Sequence, residues 1–396
     1  MKIATSWSTE ERPDIAAALY EKIREELGTA PDLLVLHCSV TYDAREVSAA
    51  LHRCAGDIPV HGGTSCLGVM TQAGFHSENA RGMGLLGLSD PDGAYGVGAA
   101  DLGEDPAAAA REALSMALEQ AGCAGETPAM IWMTAAPGNE ELLIEGLTSV
   151  VGNNVPIAGG SAADNTVSGE WSLFSAGQVH ENAVVITAMF PSSEVFFAFH
   201  SGYEPTGKGG TVTRAEGRKL AEIDGRPAAG VYNEWTGGLF SGSLEHGGNI
   251  LSQATFSPLG RKVGEVAGLP YFQLSHPNAV TPDAALTLFT DIAAGDEVVL
   301  MSGTEDSLVS RVGRVASSTL RTNSAAPGEI AGALIIYCAG CMLSVQDRCD
   351  EVVQGLRDAL PGVPFLGAFT FGEQGCFLGG ENRHGNLMIS VLLFRK

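Results

Sequence analysis

Positive charge is scarce in this sequence: 23 Lys and Arg stand against 46 Asp and Glu, a formal net charge of −23 over 396 residues. A phosphate-binding surface needs clustered Lys and Arg. No stretch gathers them, so nucleic acid is not an expected partner, and the acidity reads as a device for solubility or a salty habitat. Long apolar runs are missing too. No window approaches the roughly 18 apolar residues that span a bilayer, and the opening Met1-Lys2-Ile3-Ala4-Thr5-Ser6-Trp7-Ser8 lacks a signal-peptide core. The expectation is a cytoplasmic protein without membrane contact. In that compartment eight Cys are expected as reduced thiols rather than a disulfide framework. No Ser-His-Asp order or paired-acid spacing stands out, so no enzymatic activity is expected.

What is present points to a globular chain of two or three domains, with 45% hydrophobic and 17% charged residues. The 51 glycines cluster at strand ends and turns, which argues for tight loops rather than disorder. One unit occurs three times. Each copy has a short apolar run, an amphipathic helix, then Pro, an apolar residue, any residue and Gly. The copies run from Asp32-Leu33-Leu34 to Pro59-Val60-His61-Gly62, from Ala129-Met130-Ile131 to Pro156-Ile157-Ala158-Gly159, and from Ala333-Leu334-Ile335 to Pro364-Phe365-Leu366-Gly367. Val47/Leu51/Cys54 and Val352/Leu356/Ala359 keep the same distances before their prolines, which gives each helix one apolar face. Apolar strands at Gly82 to Leu88, Ala183 to Phe190 and Leu387 to Phe394 follow the copies. The fold class expected is α/β: layered sheets flanked by helices, built from repeated strand–helix–strand units.

Between the copies, the pattern predicts a helix from Pro106 to Ala121 stopped by Gly122. It predicts two strands over 194–213 joined by the loop Gly202 to Gly210, and a helix over 226–240 entered at Pro227. Residues 241–285 carry little periodicity; Glu297 to Ser302 reads as a strand and Glu305 to Ser318 as a helix. A boundary near residue 225 divides the chain into domains 1–225 and 226–396.

Three segments carry a family resemblance: Ser201-Gly202-Tyr203-Glu204-Pro205-Thr206-Gly207 with Thr211-Val212-Thr213 and Ala215-Glu216-Gly217; Ile223-Asp224-Gly225-Arg226-Pro227-Ala228 within Leu220 to Tyr232; and Phe369-Thr370-Phe371-Gly372-Glu373. In this order they resemble the FIST sensory-domain family, N-terminal and C-terminal domains in tandem, over nearly the whole chain. The resemblance implies a small-ligand sensor acting through a separate signalling partner. A subset of the family is similar to haem proteins that sense nitric oxide and control a histidine kinase or cyclic-dinucleotide enzyme. Haem b bound without covalent attachment is therefore an expected cofactor, since no Cys-x-x-Cys-His occurs. His61 is the first axial candidate and His37 the second, with His200 and His384 weaker. A hydrogen-bonded core histidine is the competing reading of His61. An amino-acid-like metabolite is the alternative ligand.

The candidate ligand-binding residues are His61, Gly62, Thr64, Ser65, Cys338 and Glu373. Glycine lets a ligand approach the backbone and the hydroxyls orient it; the competing reading is that the glycines only allow close strand packing. Cys338 aligns with His37 and Thr134 at a strand's C-terminal end, where open α/β sheets hold ligands. Glu373 reads either as the acceptor for a ligand amine or as a solvated loop charge. Gly202-x4-Gly207-Lys208 misses a phosphate-binding loop, because Gly209 replaces the metal-binding hydroxyl and a strand follows. Cys338-x2-Cys341-x7-Cys349 lacks a fourth zinc ligand and reads as buried small hydrophobes. Cys341 and Cys349 are expected to tolerate substitution at ~1–3 kcal/mol. The rival from another class is a thiol-dependent enzyme using Cys338 or Cys66.

Overall fold

The structure, a computed structural model, describes residues 1–12, 14–266, 269–377 and 379–396. Its body repeats one β-α-β-α-β unit that ends in a hairpin and a closing strand. Unit one runs β1 (Lys2–Ser8), α1 (Ile15–Leu27), β2 (Leu33–Cys38), α2 (Ala44–Ala55), β3 (Val60–Thr64), the hairpin β4 (Val69–Thr71) and β5 (Gly74–His76), and β6 (Met83–Ser89). Unit two repeats it as β7 (Ala94–Asp101), α3 (Pro106–Gln120), β8 (Met130–Ala135), α4 (Glu140–Val151), β9 (Ile157–Ser161), β10 (Leu173–Ser175), β11 (Gln178–His180) and β12 (Ala183–Phe190).

Unit three opens with β13 (Val195–His200) and is then interrupted by a lobe. The lobe comprises β14 (Glu204–Glu216), β15 (Lys219–Ile223), β16 (Arg226–Pro227), α5 (Ala228–Trp235), α6 (Ser241–His246), β17 (Gly248–Asn249), α7 (Leu251–Ala254), β18 (Leu259–Val266), β19 (Leu269–Ser275), β20 (Pro277–Val280), β21 (Leu286–Leu288) and β22 (Glu297–Ser302). The unit resumes with α8 (Glu305–Thr322), β23 (Ile330–Cys338), α9 (Ala339–Ser344), α10 (Cys349–Ala359), β24 (Phe365–Thr370), β25 (Glu373–Cys376), β26 (Asn382–Gly385) and β27 (Ile389–Arg395).

The α/β class and the repeated strand–helix–strand units are as the sequence predicts. In each unit two strands run parallel across a helix, and Gly62, Gly159 and Gly367 lie opposite Leu36, Met133 and Ile335. The three glycines are structurally equivalent, each third in its strand. The same register moves Cys338. Leu34, Ile131 and Ala333 face Val60, Ile157 and Phe365, so Cys338 is equivalent to Ser39 and Ala136, two residues beyond His37 and Thr134. The shift keeps the strand face, because side chains alternate with period two.

Each hairpin is exchanged. Unit two's β10–β11 completes the sheet β1-β6-β2-β3, unit three's β25–β26 completes the sheet of β7, β12, β8 and β9, and unit one's β4–β5 completes the sheet of β13, β27, β23 and β24. The units are therefore bound in a closed ring. Val35 and Leu86 of unit one, Trp132 and Ile186 of unit two, and Leu334 and Leu392 of unit three meet in one core. The alternate face packs on helices, as Leu34 and Leu36 do on Leu19, Ile23 and Leu51. Each such aliphatic side chain contributes roughly 1.5–3 kcal/mol when fully buried. Helices start where side chains replace missing partners: the Asp43 carboxylate accepts from the backbone N–H of Arg45 and Glu46, and Thr304 forms a capping box with Ser307.

The strands over 194–213 are not a pair. β13 joins β27 in the body, whereas β14 pairs with β15 and β22 in the lobe. Gly202, at φ +77°, turns the chain between them. Residue 225 falls in the turn between β15 and β16, so the division into 1–225 and 226–396 passes through the lobe's sheet. No helix among the described residues is long and apolar enough to cross a membrane.

Candidate functional site

The strand ends of units one and two form a solid seam. His61 is fully buried, with Nε2 2.8 Å from the Thr134 hydroxyl and Nδ1 2.8 Å from the Thr187 hydroxyl. Burial, aided by nearby His37, holds its pKa well below the ordinary value, so the ring is neutral. A Cβ on Gly62 would strike the Leu36 carbonyl and one on Gly159 the Met133 carbonyl. The Thr64 hydroxyl accepts the Ser172 N–H at 3.1 Å. The Ser65 hydroxyl donates to the Gly68 carbonyl and accepts the Phe369 N–H at 2.8 Å. His37 Nδ1 lies 2.9 Å from the Gly63 carbonyl, and Nε2 is buried without a partner. In this structure His61, Gly62, Thr64 and Ser65 are packing residues, which separates them from Cys338.

The open space lies at the end of unit three. A cavity of about 660 Å³ sits over the C-terminal ends of β23 and β24, with Cys338 and Thr370 at its floor. One wall is the loop after β9, folded around the buried Asp164 carboxylate, which accepts the backbone N–H of Thr166, Ser168, Gly169 and Glu170. Trp171 follows this loop and meets Phe371 edge to face, with ring centroids 6.4 Å apart. The lobe supplies the opposite wall through Leu251, Thr255, His276 and Phe289. His276 Nε2 lies 2.8 Å from the Leu251 carbonyl, an acceptor only, so the proton is on Nε2 and Nδ1 carries the lone pair. Burial lowers the His276 pKa to about 4. Asn386 is 3% exposed and borders the cavity; its Oδ1 accepts the His276 N–H at 3.2 Å, and its Nδ2 is buried with no partner. A buried amide donor without an acceptor is costly, and a ligand acceptor would satisfy it.

Glu140 and Arg218 line one end of the cavity, with Glu141 and Asp291 behind them on the side of a neighbouring cavity. Arg218 reaches Glu140 at 2.7 Å, Glu141 at 2.6 Å and Asp291 at 3.5 Å, so three carboxylates share one guanidinium. Burial alone would raise the Glu140 pKa, but His384, Arg218 and the Ser161 hydroxyl outweigh it and hold it down at about 2. Glu140, Glu141 and His384 are close enough to share a cation, yet Arg218 already occupies both carboxylates.

Beneath the floor lies a buried polar cluster. Cys338 and Cys341 both lie here, buried apart from the cavity face of Cys338, with the Tyr203 hydroxyl 3.6 Å from the Cys341 sulfur. Arg311 is 0% exposed. Its Nη1 donates to the carbonyls of Ser201 at 2.8 Å and Leu387 at 2.9 Å, and its guanidinium carbon lies 4.7 Å from the Tyr337 ring centroid. Burial pushes the Cys341 thiol up, but the Cys338 hydrogen bond, the Arg311 charge and the Tyr203 hydroxyl bring it down to about 6. Burial raises Glu373 well above the usual carboxylate range, against the Met388 N–H that its Oε2 accepts at 2.9 Å. Glu373 is 0% exposed and bonds to the Thr370 hydroxyl at 3.1 Å, so it supports the floor from behind rather than facing solvent or ligand.

Haem does not fit the two histidines named for it. His61 has both ring nitrogens committed, and His37 is in the seam; neither borders the cavity. His384 Nε2 is held by the Phe289 carbonyl at 3.1 Å, and His200 borders a separate cavity of about 350 Å³. Cys66 is fully buried, its thiol pushed up to about 12 by burial and Asp164, and it borders no cavity described here. Cys349 bonds to the Val345 carbonyl at 3.8 Å, outside the Cys338–Cys341 pair.

Sequence reasoning missed Arg311, Asn386, His276 and Trp171. A cation at Arg311, on the same helix face as Leu308 and Val312, was a readable signal. Asn386, His276 and Trp171 come from separate elements and carried none.

The family model of the FIST N domain matches residues 32–226 and that of the FIST C domain residues 228–376. An uncharacterized protein of Methanocaldococcus jannaschii is 34% identical over 80 residues, 20% of this chain and 16% of that protein's length. Among solved structures, a cyanuric acid hydrolase from A. caulinodans is similar at 8% identity and a TM-score of 0.40, with 100% of this chain and 99% of that chain covered. PurLQS from Thermotoga maritima is similar at 8% identity and a TM-score of 0.22, over 77% of this chain and 72% of that chain. Neither value is high enough to carry an argument.

Proposed function

The chain belongs to the FIST family, whose domains are sensory and bind small ligands, and from that premise we propose that it senses an amino-acid-like metabolite held in the cavity above Cys338 and Thr370. The observation that carries the reading is Asn386, which borders that cavity and holds a buried, unpartnered Nδ2 donor. A carbonyl or carboxylate oxygen would satisfy it. At the Glu140–Arg218 end the three carboxylates outnumber the one guanidinium, and the negative charge left over favours an ammonium group, while Trp171, Phe289 and Phe371 offer room for an apolar side chain. A zwitterion with an apolar or aromatic side chain meets all three demands. No step is assigned to haem or nitric oxide.

Occupation would join the lobe to the body, since the cavity walls come from both. That gives a partner protein two surfaces to read, and the family resemblance points to a histidine kinase or a cyclic-dinucleotide enzyme as that partner. The test is calorimetric titration with the twenty amino acids and their simple amines. Binding of an amino acid that Asn386→Leu weakens at least tenfold supports the reading. No heat from any member, with the folded protein confirmed by circular dichroism, overturns it.

A further inference from the structure

Cys338-Ala339-Gly340-Cys341 joins the end of β23 to the start of α9, a spacing that lets two sulfurs meet. Cys338 is the N-cap residue of α9 and Cys341 its third residue, two positions whose side chains face each other at a helix start, and the Tyr203 hydroxyl lies 3.6 Å from the Cys341 sulfur. Cys338 borders the cavity, whereas Cys341 is 0% exposed behind it. Arg311 is buried nearby with no carboxylate in contact among the described residues; its Nε and Nη2 have no hydrogen-bond partner. A buried guanidinium needs an anion, and against the effect of burial the neighbouring Cys338, the Arg311 charge and the Tyr203 hydroxyl favour the Cys341 sulfur in that role. The other buried cysteines, Cys38, Cys66, Cys349 and Cys376, have no such arrangement, their thiols being pushed up chiefly by burial, to about 12 for the first three and about 11 for Cys376.

We propose that Cys338 and Cys341 are a redox-active dithiol that closes reversibly to a disulfide by exchange with a small-molecule disulfide admitted through the cavity. The pair holds one proton and one negative charge. The proton shifts from Cys338 to Cys341, and the Cys338 thiolate attacks one sulfur of the incoming disulfide. This forms a mixed disulfide and expels the first thiolate, which takes the proton from Cys341. The Cys341 thiolate then attacks the Cys338 sulfur, forms the internal disulfide and releases the second thiolate, which is protonated by water. Two protein thiol sulfurs are oxidised and one small disulfide is reduced to two thiols. Closure also removes the anion facing Arg311. Glu373 is the next acid of the cluster, and its bond to the Thr370 hydroxyl carries the change to the cavity floor. Oxidation should therefore alter the ligand affinity of the same cavity.

The inference rests on the cavity admitting small molecules and not on which metabolite it binds. The full chain is equilibrated in glutathione buffers of increasing oxidised fraction, quenched in acid, unfolded, alkylated and mapped by mass spectrometry. A Cys338–Cys341 cross-linked peptide should appear and saturate, and revert with dithiothreitol, while Cys38, Cys66 and Cys349 remain alkylated. Cys341→Ser should instead accumulate glutathione on Cys338. Leu343→Trp, which narrows the cavity, should slow closure at least threefold. Both thiols alkylated at every buffer composition, or oxidation spread evenly over all eight cysteines, overturns the proposal. The wild-type map decides alone if Cys341→Ser does not fold. Closure without amino-acid binding would sink the ligand reading and leave the dithiol. Binding without closure would do the reverse.

Discussion

At the ends of β2 and β3, Ser39 and Ser65 occupy the positions that Cys338 and Thr370 hold at the ends of β23 and β24. The backbones match, yet the surroundings do not. Ser65 lies under unit three's own strand, whose Phe369 N–H it accepts, and its hydroxyl is fully used. Thr370 and Cys338 are covered instead by the lobe and by the loop wrapped on Asp164, which stand off and leave about 660 Å³. A strand end becomes a binding site through what covers it. In the seam the neighbouring unit is the cover; at unit three the cover is an insertion.

The largest expected effect separates the two regions by pH. His37, His76 and His276 have pKa values lowered by burial to about 4, and His61 is lowered in the same direction. Unfolded, each binds a proton near pH 6.5. Below that the unfolded state holds more protons, so stability falls as pH drops from about 6.5 to 4, by up to ~3 kcal/mol per histidine. Cys341 acts in another window. Its folded value of about 6 lies below the ordinary 9.0, so its contribution is complete above pH 9 and lost as pH falls towards 6. Against burial, Cys338, Arg311 and Tyr203 set this shift, and Tyr337 and Glu373 are the other titratable groups beside it. Urea midpoints measured from pH 4 to 9 should rise in two steps. Removing His61 should flatten the lower step and removing Cys341 the upper. A midpoint unchanged across the range would break the comparison.

Next in size is Gly159→Val. Gly159 adopts φ +151°, and any Cβ there would meet the Met133 backbone. The seam has no slack for it, so the loss should exceed ~4 kcal/mol and leave little folded protein. Soluble yield and the urea midpoint measure this. A variant as stable as wild type would show that the seam is less closely packed than its geometry indicates.

The body was largely legible in the sequence because its signals are local. Prolines mark the second parallel strands, and Val352, Leu356 and Ala359 are buried as their spacing predicts, although Cys54 is only half buried. The strand at Glu297–Ser302 has the predicted limits, and Pro106–Gln120 is a helix before Gly122. The hairpin exchange was not legible, since Gly367 opposite Met70 is a pairing across nearly 300 residues with no local pattern. For the site, Cys338 was singled out, but its equivalents were placed two residues short because the third copy was aligned from its first apolar residue. The His61 segment supports a pocket and a packing reading equally, because Gly-Gly-Thr-Ser serves ligand contact and tight packing alike; only the Thr134 and Thr187 hydroxyls, from another unit, favour packing. Asn386 and Trp171 reach the cavity from opposite sides of the fold, which no spacing encodes.

Asn386→Leu should lower ligand affinity by ten- to hundredfold, about 1–3 kcal/mol. Thermal stability should fall by about 1–2 kcal/mol, because the lost Oδ1 leaves the buried His276 N–H unpaired, a cost only partly offset by removing the unpartnered Nδ2. The seam gives the control. Thr187→Val leaves a His61 ring nitrogen unpaired and should cost stability while leaving affinity unchanged. Calorimetric titration and melting curves on both variants test this directly. If Thr187→Val weakened binding and Asn386→Leu did not, the seam would be the site.

The smallest effect belongs to a glycine in the open region. A Cβ on Gly340 would stand 3.6 Å from His276 Cε1 and 3.7 Å from the Cys338 sulfur, both ordinary contacts, and its φ is not in the left-handed range. Gly340 is in α9, where alanine is the better helix former by ~1 kcal/mol. Gly340→Ala should therefore change stability by less than about 1 kcal/mol, in either direction, against the loss of folded protein expected for Gly159→Val. The added methyl enters the cavity beside Cys338, so its effect should appear in ligand affinity, as a loss of about two- to fivefold for the largest side chains and none for glycine. Equal cost at both glycines would mean that unit three's strand end is as closed as the seam, and the distinction between cover by a neighbouring unit and cover by an insertion would fail.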